Sequence, residues 1–72
     1  MNEETRSELI TLANARMPFG KYQGKYLVEL PEHYLVWYRT KGFPKNTLGK
    51  QMEQILDIKI NGLEPLIYKL RR

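Results

Sequence analysis

No cysteine occurs anywhere in this chain, and that absence constrains the fold most, because only 72 residues are available. A chain of this size hides only about 60 % of the surface its unfolded form exposes. Small domains commonly compensate for so thin a core with disulfides or a thiolate-bound metal. Neither is open here. The one histidine, His33, lacks enough partners for a metal site. Stability is therefore expected from a well-packed aromatic core or from self-association. An apolar fraction of 42 % with 11 % aromatic residues fits a folded domain and not a disordered tail.

Residues 1–72 read as one domain without linker, internal repeat or low-complexity stretch. No segment approaches the roughly 18 apolar residues of a membrane span. The start, MNEETRSEL, is acidic and polar, the reverse of a signal peptide. Cytoplasmic residence is the resulting expectation. The net charge of +4 is unevenly spread. Residues 1–10 carry one Arg against three Glu, net −2, whereas residues 11–50 carry seven Lys or Arg against two Glu, net +5. This basic middle also holds most of the aromatic residues. Such a patch attracts nucleic acid or an acidic partner, and the plainer reading is a lysine-rich surface that keeps a small protein in solution.

Local pattern predicts a helix over Glu3–Asn14, with Asn2 as its cap and Glu3 and Glu4 at the positive end of the helix dipole. Pro18 prevents its continuation. The period then changes. Tyr26, Val28 and Leu30 alternate with Lys25, Leu27 and Glu29, which favours a strand, and Met17–Tyr22 supplies a short edge partner. Gln23-Gly24 suits the loop between them, since glycine adopts positive φ without steric cost. After Pro31 the helical period returns. Tyr34, Trp37 and Tyr38 fall at i, i+3 and i+4, and Tyr34 and Trp37 are assigned to the core, pressed on the hairpin. Gly42-Phe43-Pro44 forms a turn. A last, longest helix, capped by Asn46 or Thr47, carries its stripe on Leu48, Met52, Ile55, Leu56, Lys59, Ile60 and Leu63, and stops at Asn61-Gly62. Pro65–Leu70 is left as one or two helical turns. The predicted fold is a small α+β domain, one two-stranded antiparallel hairpin packed with about three helices.

Residues 18–25, PFGKYQGK, look most like chemistry. A phosphate-cradling P-loop needs G-x-x-x-x-G-K followed by Ser or Thr and a helix. Here only three residues separate Gly20 from Gly24, and Tyr26 follows Lys25. Nucleotide hydrolysis is rejected. What survives is a turn that presents Lys21 and Lys25. Catalysis finds no nucleophile beyond Ser7, and Glu53 with Asp57, four apart on one helix, are better read as a solvated polar face than as a metal pair. No enzymatic activity, cofactor, metal or small-molecule substrate is expected. The aromatic residues interleaved with lysines could stack on single-stranded bases, and Tyr22, between basic residues, is the ring expected to be exposed.

The string PFGKYQGK, then ELPEHYLVWY, KGFPKNTLG and KINGLE, resembles the small bacterial domain family labelled "putative quorum-sensing-regulated virulence factor", over residues 17–64. It is also similar to a module at the C-terminus of exodeoxyribonuclease X-like proteins. There the attached catalytic domain holds the acidic metal-binding residues, which have no counterpart here. The resemblance implies an accessory module that grips DNA or RNA. Lys21, Tyr22, Lys25, Lys41 and Lys45 lie within the matching motifs and are the candidate nucleic-acid-binding residues. The alternative is a regulatory or structural protein that binds another protein, or itself as a homodimer.

Overall fold

The computed structural model describes residues 2–71, so Met1 and Arg72 lie outside the described residues. Its elements are α1 (Glu3–Asn14), a single 3-10 turn (Leu27–Glu29), α2 (Glu32–Lys41), α3 (Thr47–Ile60) and α4 (Glu64–Tyr68). The Asn2 side chain accepts a 2.7 Å hydrogen bond from the Thr5 N–H and so satisfies one of the unpaired donors that begin α1. Asn46 does the same for α3, accepting from the Gly49 N–H at 3.1 Å. α3 ends where Asn61-Gly62 predicts. The Leu63 N–H returns to the Ile58 carbonyl and the Gly62 N–H to that of Lys59, the paired bonds of a Schellman motif. The tail resumes as α4, with Pro65 in its first turn.

The expected hairpin does not form, and the fold is helical. No strand or sheet occurs among the described residues; the one backbone bridge joins Arg16 and Tyr26 in antiparallel sense. The reason lies in burial. A half-buried strand must alternate its faces, yet Leu27, Val28 and Leu30 are all fully buried. A 3-10 turn, flanked by extended Tyr26 and Leu30, directs these neighbours into one core. The chain still reverses at Gly24, whose φ of 87° matches the predicted turn residue. The Gly24 N–H donates to the Met17 carbonyl and the Met17 N–H to the Lys25 carbonyl, both at 2.8 Å. A closed loop of successive turns thus stands where two strands were expected.

The core is aliphatic, not aromatic. Leu12, Ala13, Met17, Leu27, Val28, Leu30, Leu35, Met52, Ile55, Leu56 and Ile67 fill it, and the aromatic rings pack around its margin. The 3-10 turn lies against both α1 and α3, α2 packs on α3, and α4 packs on α1. Burying a side chain of Leu or Ile size stabilises by about 1.5–3 kcal/mol. Ten buried Leu, Ile, Val and Met side chains, with Ala13 among them, supply the cohesion that disulfides cannot.

Candidate nucleic-acid interface

α2 sets the pattern. Its spacing lines up Tyr34, Trp37, Tyr38 and Lys41 along one side, while Leu35 alone of the helix is fully buried. Tyr22, from the preceding loop, meets Tyr34 edge to face with ring centres 4.7 Å apart. Tyr34 lies nearly parallel to Trp37 at 6.2 Å, and Tyr38 packs edge-on to both at 5.9 and 5.8 Å. Tyr38 then stacks on Phe43 at 6.0 Å. Offset and edge-to-face pairs of this kind each add about 0.5–1.5 kcal/mol beyond their buried area. The rings form a continuous array from the PFGKYQGK loop, across α2, to the turn after it. Burial pushes the Tyr34 phenol above its ordinary pKa, and the neighbouring Tyr38 and Tyr22 phenols add to the rise.

Within this array Trp37 is not a core residue. Its side of the helix faces solvent, and the residue is 54 % exposed. Tyr34 is half-buried beneath it. Tyr22 is also half-buried, held against Tyr34, so it is not the exposed ring that its basic neighbours suggested. Phe19, at 45 % exposure, is the open ring of that loop.

All four lysines of the expected site are exposed. Lys21 places its ammonium 5.5 Å from the Tyr22 ring centre, and Lys41 places its own 6.0 Å from that of Trp37. The array therefore ties one lysine of each turn to a shared aromatic surface. Lys25 and Lys45 extend from the same two turns, and neither makes an ion pair or ring contact among the described residues.

A second basic cluster escaped the sequence. The guanidinium of Arg16 lies 4.3 Å from the Tyr26 ring centre and that of Arg71 lies 4.4 Å from it. Arg16 also donates to the Gly24 carbonyl at 3.0 Å and to the Tyr26 hydroxyl at 2.9 Å. Arg71 approaches Glu29 at 3.7 Å and the Tyr68 ring at 5.2 Å. The Arg16 contacts brace the loop that carries Lys21 and Lys25, and Arg71 ties the chain's end to it. Only the bridge between Arg16 and Tyr26 makes the first contact, and no local motif announces a partner 45 positions later.

Glu53 and Asp57 stay exposed on α3, and no group of three His, Cys, Asp or Glu able to hold a metal occurs among the described residues. No helix among them is long and apolar enough to cross a membrane.

Residues 5–70 match the family model described as "Putative quorum-sensing-regulated virulence factor". The chain is 47 % identical over 68 residues to a protein of Escherichia coli strain K12 named "Uncharacterized protein YpeB", covering 93 % of this chain and 94 % of that one. The protein of the same name from Escherichia coli O157:H7 matches to the same extent. No solved structure matches.

Proposed function

This chain belongs to the family described as putative quorum-sensing-regulated virulence factors, and we propose that it serves as a non-catalytic module that grips nucleic acid. One observation carries the reading: the unbroken ring array from Tyr22 to Phe43, which unites two lysine-bearing turns into one face. Lys21, Lys25, Lys41 and Lys45 are its phosphate contacts, and Lys21 and Lys41 lie beside rings of the array. Phosphate neutralisation by Lys and Arg provides sequence-independent affinity. The net charge of +5 over residues 11–50 acts in the same direction. A nucleic-acid partner implies residence in the cytoplasm.

Titration of fluorescently labelled oligonucleotides at two salt concentrations tests the proposal. Binding at low salt that weakens steeply at higher salt supports it, and absence of binding at low salt removes it.

A second reading rests on the apolar surface at the junction of α3 and α4. Ile60, Leu63, Leu66 and Tyr68 are all exposed where α3 meets α4, and Leu9, Ile58 and Leu70 join Leu63 and Leu66 around an apolar groove of about 380 Å³. A second copy of the chain could cover them. Sedimentation of the native protein and of Leu66→Glu separates the two readings: a dimer that the substitution dissolves favours self-association.

A further inference from the structure

We infer that the face carried by α2 takes single-stranded nucleic acid, with an unpaired base stacked on Trp37 and the flanking backbone drawn toward Lys41 and Lys21. The inference rests on the nucleic-acid reading above and narrows it to one class of ligand. Three observations carry it. First, Trp37 is the open ring of the array: it is 54 % exposed, whereas Tyr22, Tyr34, Tyr38 and Phe43 are half-buried. A base has an apolar face of matching shape, and stacking is sequence-tolerant because every base offers a π-surface.

Second, the ring is braced from below. Trp37 lies nearly parallel to Tyr34, at an interplanar angle of 22°, and edge-on to Tyr38, at 82°. Those two rings meet Tyr22 and Phe43 in turn. An indole held in this way loses little side-chain freedom when a base settles on it, so less of the stacking energy is spent on ordering. Third, charge lies beside two rings of the array. The Lys41 ammonium sits 6.0 Å from the Trp37 ring centre and that of Lys21 lies 5.5 Å from Tyr22. A nucleotide stacked on Trp37 carries a phosphate at its sugar, within reach of the flexible Lys41 side chain beside that ring. Alternation of cation and ring suits an unstacked strand. In a duplex the base faces are covered by their neighbours, leaving only phosphates for the lysines.

Trp37 is the chain's single tryptophan, so its fluorescence reports directly on this site. The test adds an oligothymidylate of about 12 nucleotides, within the usual site size for such modules, and separately a mixed-sequence duplex of equal length, to the native protein. Quenching by the single strand, reversed by salt, with weaker and unquenched duplex binding, is the expected result. Variants are followed by anisotropy of labelled oligothymidylate. Trp37→Phe keeps a stacking face and binds within a few-fold of native. Trp37→Leu keeps apolar bulk without a π-face and binds on the order of 10- to 100-fold more weakly; circular dichroism verifies that both variants are folded. Single strand and duplex bound equally without quenching would overturn this inference and leave the broader nucleic-acid reading intact. Native-like affinity in Trp37→Leu would overturn it as well. Binding of neither ligand at low salt would remove both.

Discussion

Gly49 of α3 lies so close to Pro44 that a Cβ at that position would fall on the Pro44 carbonyl oxygen and only 2.7 Å from its carbonyl carbon. Glycine within a helix ordinarily costs about 0.5–1 kcal/mol relative to alanine. Here its missing side chain lets the turn after α2 fold back against the first turn of α3. Gly49→Ala should therefore destabilise the domain, against the usual trend, by about 1–3 kcal/mol of overpacking. Chemical denaturation measures it. A more stable alanine variant would show that the turn yields without cost.

Trp37→Ala bears on the division between core and surface. With half of its ring exposed, the loss should be about 1 kcal/mol, the scale of its ring contacts. Leu56→Ala, at a fully buried position, should cost about 2–5 kcal/mol. Thermal melts of the two variants check the ranking. Equal losses would place Trp37 in the core after all.

Gly24 closes the PFGKYQGK loop at positive φ, with open space around it. The penalty for a side chain there is conformational alone. Gly24→Val should lose roughly 1–3 kcal/mol, and Gly24→Asn less, because asparagine tolerates this region. Urea midpoints for the pair test it; equal values would deny the strain.

Alkaline stability follows from Tyr34. Its folded pKa is raised above the ordinary 10.0, chiefly by burial, so folding favours the neutral phenol. The associated stability is fully present below pH 10 and is lost as pH rises through the folded value. Tyr34→Phe should shift alkaline unfolding toward higher pH, measured by circular dichroism. An unchanged midpoint would mean that other groups govern it.

Helix boundaries were legible because their determinants are local. Asn2, Glu3 and Glu4 specify the start of α1, and Asn61-Gly62 the end of α3, whatever surrounds them. The strand expectation failed at Leu27 and Val28, where tertiary burial of adjacent residues overrode a period of two. The core expectation failed at Trp37 for a related reason, while Tyr34 packs half-buried against the core. Helical spacing identifies residues on one face, but only the competing aliphatic supply, Leu35 with Met52, Ile55 and Leu56, decides which face turns inward. The lysines of the site were readable as a composition bias. Their union through the ring array depends on Tyr22 reaching Tyr34, a contact between segments that sequence alone does not pair. Arg71 beside Tyr26 was beyond reach for the same reason.

The salt dependence of affinity for single-stranded oligonucleotide tests the central claim most directly. Each lysine that neutralises a phosphate contributes about 0.7 to the slope of log affinity against log salt for a single strand. Replacing Lys21, Lys25, Lys41 and Lys45 together by Gln should flatten that slope by about 3 units and weaken binding across sequences. The fold should persist, since exposed substitutions usually shift stability by less than about 0.5 kcal/mol each. A native protein that binds at low salt, beside a folded four-lysine variant with the same slope and affinity, would contradict the account.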